Sequence, residues 1–326
     1  MFIEIIVTSI KFATVFLFGS AGETVTEKSG HLNMGTPGVM CMGAMGSAIG
    51  AYIYLSLLKA IGIPGQTNAF LAFFFTALFC LIFAGLAGLL FSFITVTLRC
   101  NQNVTGLALT TFGVGLYPFV ISLLKKEITL GFANISSKYI MHVFPESFYN
   151  ANWFTQLFFS YGILVYLAIA VAIAIGIIMK KTRVGLFLRT VGENPAAADA
   201  AGISVGRYRY LATIIGSAIS GLGGMYYLFD NCSAAFEFTV DTYGWLAVSL
   251  VIFTMWNTNI GIGGSFIFAF LYIMPGYLNV PGPEKKIIEL VPYLVTVVIL
   301  VVTSIFNKRL GKAPAGLGQS YFREDR

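Results

Sequence analysis

The side chains that most often carry out catalysis or bind metals are few in this sequence and lie far apart. The two histidines, His31 and His142, fall in different predicted loops, and no acidic or cysteine cluster joins either of them. The four cysteines form neither a CxxC pair nor a Cys/His cluster; they are Cys41, Cys80, Cys100 and Cys232. We therefore expect no catalytic residue, no metal and no cofactor, and we interpret the cysteines as small apolar residues.

Hydrogen-bonding side chains do occur in two glycine-containing segments, residues 33–38 and 101–115. Glycines let helix backbones approach closely, and broken helices expose polar groups around the substrates of transporters. Amide and hydroxyl groups there could bind a sugar ring, while an aromatic face could stack on a base. The candidates for a solute path are Asn33, Asn103, Thr105, Thr110, Thr111 and Phe112. The alternative is that these residues only pack helices together.

The composition predicts that these groups are positioned by membrane-spanning helices. The 326 residues are 57% hydrophobic and 10% charged, with a mean hydropathy of +0.82, a balance that water-soluble domains of this size do not have. A hydrocarbon core about 30 Å thick needs roughly 20 apolar residues per helix. The sequence therefore predicts an all-α polytopic membrane protein with about nine spans, or eight to ten if a segment is broken or re-entrant.

Nine apolar stretches qualify as spans, and together they make residues 1–326 a single transmembrane domain. The third stretch is long and the seventh is short, so we expect a tilted helix in one and a half-span in the other. The N-terminus has no basic region or cleavage site, so we expect it to remain as the first span. The stretches are 5–22, 37–58, 68–98, 104–124, 153–179, 209–229, 242–256, 258–278 and 290–306.

Basic residues predict the orientation of these spans. Lysines and arginines crowd into the loop at about 180–208, and more of them occur in the tail at 307–326. Short loops rich in Lys and Arg face the cytoplasm. Both segments, and with them the C-terminus, are therefore expected to be cytoplasmic, and nine spans then place the N-terminus outside.

The interiors of the predicted spans are almost free of ionisable side chains. Apart from Arg209, at the first position of the stretch 209–229, only Lys11 occurs in them, near enough to a helix end to reach the membrane surface. Ion-driven carriers and redox pumps generally keep ionisable groups within the membrane. The chain also has no GxxxxGK(S/T) phosphate-binding loop. We therefore expect a neutral solute, and we expect any ATPase to be a partner protein.

The basic loop contains one short helix with clear boundaries in its sequence. Asn194 can cap it, Pro195 suits its first position, a run of alanines follows, and Gly202 can end it. A helix of about seven residues is only about 10 Å long and is marginal in water, so it needs a surface to lie on. It could dock on another protein, with Glu193 and Asp199 as polar contacts, or it could simply connect two spans.

Several segments resemble the nucleoside and simple-sugar branch of bacterial ABC permeases. GENPAAADAAGISV at 192–205 and GSAISGLGGMYY at 216–227 carry the resemblance first. The segments at 27–52, 101–116 and 313–325 are similar too, so the resemblance covers nearly the whole chain. Thr36 and Pro37 depart from it, because relatives usually carry an aliphatic residue and a glutamate there. This departure bears on the identity of the solute more than on the class of transporter.

The resemblance implies a role and a set of partners. In that family the short helix is the coupling element that sits in a groove of the cytoplasmic ATP-binding subunit. The residues that match it are Arg189, Glu193, Asn194, Pro195, Ala196, Ala197, Asp199 and Gly202. A second permease, commonly in a heterodimer, completes the pore in the bacterial inner membrane, and an extracytoplasmic binding protein or lipoprotein delivers the solute.

Within such a heterodimer this chain resembles the shorter subunit of nucleoside transporters, with lipid and protein but no nucleic acid as partners. A nucleoside is the favoured solute, and a simple sugar or a flavin-like vitamin is the alternative. A stand-alone facilitator would use the same uncharged path without an energy source. Since it needs no partner, transport by the chain alone would distinguish it from a permease subunit.

Overall fold

The structure, a computed structural model, describes residues 2–62, 68–135, 142–149, 151–232, 240–277 and 313–322, with isolated positions between 287 and 301. These residues form helices joined by loops, and no strand occurs among them. Seven helical stretches are long and apolar enough to cross a membrane. The predicted all-α polytopic membrane fold is confirmed.

The described helices follow one another along the chain, and two of them end in π-helical turns. They are α1 (Phe2–Lys28), α2 (Thr36–Ala60), α3 (Ala69–Ser92), α4 (Gln102–Ile135), α5 (Glu146–Tyr149), α6 (Trp153–Phe159), α7 (Ile163–Lys181), α8 (Arg183–Glu193), α9 (Pro195–Ala200), α10 (Val205–Tyr226), α11 (Asp241–Phe253) and α12 (Thr258–Tyr277). The π-helical turns extend α3 over Phe93–Thr97 and α10 over Tyr227–Asn231. Such turns change the direction of the side chains that follow, and they often lie near functional sites.

The irregular spans lie where the sequence predicts them. The third span, Phe70–Thr97, has 28 residues. Helix α11 has only 13 residues, so it is about 20 Å long and too short for a hydrocarbon core of about 30 Å. The predicted span at 153–179 is broken between α6 and α7. The predicted span at 290–306 lies largely outside the described residues.

Helices α1, α2 and α10 pack at the centre of the bundle through glycines. Gly22 of α1 faces Gly216 of α10, and Gly43 of α2 faces Gly221 of α10. A methyl group at Gly43 would lie only 2.5 Å from the Gly221 Cα. Small residues let helices in lipid approach closely and gain van der Waals contact. The glycines therefore hold the three helices at a separation that larger residues would not allow.

Replacing Gly43 by alanine is expected to lower the free energy of unfolding by about 1–3 kcal/mol, because the added methyl group forces α2 and α10 apart. The measurement is unfolding of the purified protein in mixed detergent micelles. Gly115 is the matched control, since a methyl group there meets no atom within 4 Å. A Gly115→Ala variant should be as stable as the unmodified protein or slightly more stable. Equal stability of the two variants would contradict the close packing.

Helix α1 extends beyond its predicted end and buries two carboxyl groups, and Arg209, the first residue of the predicted span at 209–229, is buried as well. Glu23, Glu27 and Arg209 are 1%, 2% and 3% exposed. Thr36 Oγ1 donates a 2.5 Å hydrogen bond to Glu23, and the Trp256 indole N–H donates to Glu27. The expectation that the spans are almost free of ionisable groups is therefore wrong. Hydropathy counts end a span at its first polar residues, whereas here donors on other segments allow the helix to continue.

Lys11 has a counter-charge within the bundle and does not depend only on reaching the membrane surface. It lies 17 residues before the end of α1, about 25 Å along the helix, and its Nζ is 3.9 Å from Asp230 Oδ1. Asp230 belongs to the π-helical turn after α10 and is 6% exposed. Paired charges of this kind are the form in which ionisable side chains are usually found within membranes.

Candidate functional site

Helices α8 and α9 form the predicted coupling segment, and α8 anchors it to the bundle. The α8 helix begins where Thr182 Oγ1 accepts a 3.2 Å hydrogen bond from the Gly185 N–H. Leu188, on its buried face, packs against α1, α7 and α10 through Ala21, Ile175 and Ala212. Because three spans contact this one face, a force applied to the segment would reach the membrane helices.

The ends of α9 are closed as the sequence predicts. The Asn194 side chain accepts a 3.0 Å hydrogen bond from the Ala197 N–H, and Pro195 takes the first helical position. At the other end Gly202 has a φ of +80°. The Gly202 N–H bonds to the Asp199 carbonyl at 3.0 Å, and the Ile203 N–H bonds to the Ala198 carbonyl at 2.9 Å. This pair of bonds is a Schellman motif, and it stops the helix after about two turns.

One face of α9 is buried and the other is covered with small exposed side chains. Ala198 is fully buried and packs with Val191 and Val205. Ala196, Ala197 and Ala200 are exposed, as are Glu193 and Asn194 before them. We call Ala196, Ala197 and Ala200 the alanine face. It is the part of the predicted coupling segment that a partner protein could contact.

The C-terminal tail packs on the same segment, which the sequence did not predict. The Gly316 N–H donates to the Gly192 carbonyl at 2.8 Å, and the Ala315 N–H donates to Glu193 Oε2 at 3.2 Å. The Tyr321 hydroxyl donates to Asp199 Oδ2 at 2.9 Å. Glu193 and Asp199, expected to contact a partner protein, thus contact the chain's own tail. The only signal in the sequence was the similarity of the tail to the same family.

The loop between α1 and α2 meets the coupling segment and the tail at one end of the bundle. A methyl group at Gly192 would lie 2.3 Å from the Lys28 carbonyl oxygen, so only glycine allows this approach of α8 to α1. The Gly318 N–H donates to the Gly30 carbonyl at 3.2 Å. The basic loop and the described part of the tail therefore lie at the same end, as the predicted orientation requires.

His31 lies in the same loop and is fully buried. Its Nε2 is 2.7 Å from Thr95 Oγ1, whose own proton goes to the Phe91 carbonyl, so Nε2 donates to Thr95. Its Nδ1 is 2.7 Å from Thr213 Oγ1 and accepts from that hydroxyl. Both ring nitrogens are thus satisfied by a neutral imidazole. Burial, and secondarily the positive charge of Arg209, lowers the pKa of His31 to about 3.

His31 is expected to make a destabilising contribution to the free energy of unfolding as the pH falls from 7 to 5. In the unfolded chain a histidine has a pKa of about 6.5, so below this pH the unfolded state binds a proton that the folded state does not. The resulting loss is about 2 kcal/mol over this range. A His31→Gln variant should lack this part of the pH dependence, measured by unfolding in mixed micelles. His142→Gln is the control, and this variant should retain the pH dependence of stability that His31 causes.

The two candidate segments of the solute path lie against each other. Helices α2 and α4 cross where the Gly113 Cα faces the backbone of Gly38, and a methyl group at Gly113 would lie 2.4 Å from the Gly38 carbonyl oxygen. Thr110 Oγ1 donates to the Met34 carbonyl at 2.9 Å. Asn33 is buried, and its side chain accepts from the Gly35 N–H at 2.9 Å. Asn33 and Thr110 therefore fix the backbone of this crossing.

The other candidate residues of α4 lie on different faces. Thr105 and Phe112 line a cavity of about 180 Å³ whose remaining walls are apolar residues of α3, α4 and the π-helical turn after α3. Asn103 and Thr111 are exposed at the outer surface of the helix. Thr105 and Thr111 donate their hydroxyl protons to carbonyls one turn earlier, so each can only accept a further hydrogen bond. The six residues do not form one pocket in this chain.

Comparison with known proteins gives a consistent set of relatives. The family model described as "Branched-chain amino acid transport system / permease component" matches residues 5–303. A nucleoside ABC transporter permease protein, NupC of Lactococcus lactis subsp. cremoris, is 29% identical over 98% of this chain and 96% of its own length.

Two further relatives match over almost their whole lengths. A guanosine ABC transporter permease protein, NupQ of Bacillus subtilis, is 27% identical over 99% of this chain and 97% of its own length. A putative glucose ABC transporter permease protein, TsgC13 of Haloferax volcanii, is 27% identical over 97% of this chain and 96% of its own length. No solved structure matches the chain.

Proposed function

Because the chain belongs to the family of branched-chain amino acid transport system permease components, matched over residues 5–303, we propose that it is a membrane-spanning permease subunit of an ATP-driven ABC importer, with a nucleoside as its solute. The observation that carries the nucleoside is the near full-length similarity to two permeases named for nucleoside and guanosine transport. A simple sugar is the second candidate, because a putative glucose permease is similar over a comparable length.

ATP hydrolysis belongs to a separate cytoplasmic subunit in this proposal. The sequence has no phosphate-binding loop of its own. The alanine face offers a docking surface at the end of the bundle where α8 contacts α1, α7 and α10. A groove on the ATP-binding subunit that accepts small side chains would fit it. Movement of that subunit would then tilt the three spans and exchange an outward-facing cavity for an inward-facing one.

A second permease completes the pore. Large apolar side chains of α3 and α4 are exposed, among them Phe70, Leu86 and Phe112 at 73%, 52% and 51%. Lipid would cover part of this surface and a second permease the rest. The pore between the two subunits would then receive the exposed residues Asn103 and Thr111, which lie outside the cavity that Thr105 and Phe112 line. An extracytoplasmic binding protein would deliver the solute to it.

The solute path of this proposal contains no charge. The segments that meet at the crossing of α2 and α4, residues 34–38 and 109–113, carry no ionisable side chain. Lys11 and Asp230 pair with each other, and Glu23 and Glu27 accept hydrogen bonds from Thr36 and Trp256. These four ionisable side chains thus have partners within the protein, which supports a neutral solute.

Reconstitution into liposomes tests the proposed function. The chain, a second permease, the ATP-binding subunit and the binding protein should together concentrate a radiolabelled nucleoside, such as guanosine, only when ATP is supplied. The chain alone should not equilibrate the solute, since equilibration without partners is the property of a facilitator. If the four proteins together take up glucose but not guanosine, the solute is a sugar rather than a nucleoside.

The proposed location is the bacterial inner membrane, with the coupling segment and the tail on the cytoplasmic side. Cysteines introduced at Ala197 and at Gln319 report the side, because both positions are exposed at the same end of the bundle. In right-side-out vesicles a membrane-impermeant thiol reagent should leave both unlabelled until the membrane is opened. Cys100 is exposed in the structure, so it is replaced by serine in the labelling background. If either introduced cysteine is labelled in intact vesicles, the coupling segment and the tail lie on the outer side of the membrane, which would contradict the proposed orientation.

A further inference from the structure

A polar cavity of about 260 Å³ lies between the start of α10, helix α9 and the tail. It is distinct from the α2–α4 crossing and from the alanine face. Four of its lining residues carry hydroxyl groups, namely Thr95, Ser204, Ser320 and Tyr321. A cavity with so many hydrogen-bonding groups suits a polar ligand rather than an apolar one.

Arg209 lines this cavity and lacks partners for two of its nitrogen atoms. The residue is 3% exposed, and its Nε and Nη2 make no hydrogen bond within the described part of the chain. His31, which lies nearby, uses both ring nitrogens on Thr95 and Thr213 and does not satisfy it. A buried guanidinium with unpaired N–H groups is costly unless an acceptor is supplied. The structure therefore places an unsatisfied positive charge beside the cavity.

The first turn of α10 adds donors at the same place. Ser204 precedes this 22-residue helix, its side chain caps no backbone N–H, and the first turn has no acidic residue. Val205 and Gly206 also line the cavity. The first N–H groups of a helix have no partner within it and carry the positive end of the helix dipole, so they favour an anion.

The acidic group of the cavity is already engaged. Asp199 also lines the cavity, and the Tyr321 hydroxyl donates to it at 2.9 Å. Arg99 lies 4.4 Å from the centre of the Phe322 ring, which is also part of the lining. Among the lining residues Arg209 therefore remains as a cation without a partner for its Nε and Nη2, while the one acidic group accepts from Tyr321.

We propose that this cavity binds a phosphate group, held by Arg209, the first N–H groups of α10 and the hydroxyls of Ser204 and Ser320. A phosphate presents several acceptor oxygens, which matches the fork of N–H donors on a guanidinium better than one carboxylate oxygen does. The group comes either from an anionic phospholipid at the membrane edge or from a soluble phosphate ester. In both cases it ties the tail to α9 and α10. An effect on transport through α9 rests on the proposed function, whereas binding itself does not.

Binding is measured on the purified full chain in a maltoside detergent, which contains no phosphate. One arm adds inorganic phosphate or glycerol phosphate, and the other adds short-chain phosphatidylglycerol, each against chloride at constant ionic strength. Hydrogen exchange of the tail amides of Gly316 and Gly318 is the readout, and we expect it to slow several-fold on binding. An effect of the soluble anions identifies a free ester, and an effect of the lipid alone identifies a head group. No effect in either arm would overturn the proposal.

Two pairs of variants locate the site. Arg209→Gln should weaken the apparent affinity for the active ligand by about tenfold or more, since a charge-assisted bond is lost. Arg207→Gln, which removes an exposed charge two residues away, should change it less than about twofold. If Arg207→Gln weakens binding as much as Arg209→Gln does, the site is not in this cavity.

The second pair does not depend on the folding of the Arg209 variant. Gly206 lines the cavity and a Cβ there meets no atom within 4 Å, so Gly206→Glu adds a carboxylate beside the cavity without a clash at its Cβ. This carboxylate should compete with the phosphate and abolish its effect on exchange, whereas Gly206→Gln, of equal size, should retain most of it. Equal responses of the Glu and Gln variants would contradict the proposal.

Discussion

Replacing Ala197 by tryptophan is expected to reduce ATP-dependent uptake by the assembled importer by about tenfold to a hundredfold. Ala197 belongs to the alanine face, and its side chain is exposed in the isolated chain. In the proposed complex the indole would have to fit a groove shaped for a methyl group. Overpacking an interface by this much costs about 1–3 kcal/mol, and each 1.4 kcal/mol is about a factor of ten in binding.

The same experiment separates docking from folding. The backbone N–H of Ala197 still bonds to Asn194, so α9 should keep its cap, and the variant should insert and unfold like the unmodified protein. Ala170→Trp is the matched control, because Ala170 is an exposed alanine of the spanning helix α7. It should retain ATPase binding, measured by co-purification of the ATP-binding subunit. Normal ATP-dependent uptake by the Ala197→Trp variant would contradict the coupling role proposed for α9.

Replacing Asp230 by leucine is expected to destabilise the protein by about 3–5 kcal/mol, because Lys11 would lose its counter-charge within the membrane. Lys11→Met should cost at least as much, because it leaves the Asp230 carboxylate without a counter-charge, and the Asp230 side chain is 1% exposed while that of Lys11 is 24% exposed. Unfolding in mixed micelles measures both effects.

A double variant tests whether the pair itself is responsible. Lys11→Met combined with Asp230→Leu leaves no unpaired charge, so it should recover most of the stability lost by Asp230→Leu. Lys59→Met is the control for the loss of a lysine, because Lys59 is exposed at the end of α2. If the double variant is as unstable as the sum of the two single variants, the two charges do not interact.

Buried charges in the spans change the argument for an external energy source. Their near absence was the first reason to expect an ATPase partner, and the structure places Glu23, Glu27, Arg209 and Asp230 in the interior. Glu23 and Glu27 accept hydrogen bonds from neighbouring segments, and Asp230 is paired with a cation. The expectation of an ATP-driven importer is supported instead by the family match and by the capped, exposed helix α9.

The boundaries of α9 could be predicted because the interactions that define them are local. The cap joins Asn194 to Ala197, and the Schellman bonds join Gly202 and Ile203 to residues three and five positions earlier. Residue types with strong preferences at these positions therefore specify the helix ends almost independently of the rest of the chain.

The faces of α4 could not be predicted in the same way. Thr110 and Thr111 are neighbours in the sequence and were equal candidates for the solute path. Successive residues of an α-helix point about 100° apart, so Thr110 bonds to the Met34 carbonyl while Thr111 is exposed. Glycine patterns predicted that the two segments approach closely, and only the crossing at Gly38 and Gly113 decided which side chains meet.

Composition and hydropathy alone were sufficient to specify a polytopic helical membrane protein. In lipid the backbone polar groups of a span must be hydrogen-bonded within the protein, and a helix satisfies them within its own segment whatever its neighbours are. The burial of Glu27 was decided by tertiary contact with Trp256, 229 residues later. The packing of the tail on α8 and α9 was likewise decided by hydrogen bonds that Ala315 and Tyr321 donate, each to a residue 122 positions earlier. Partners so distant in the chain leave no local pattern, since their interaction exists only once the helices have packed.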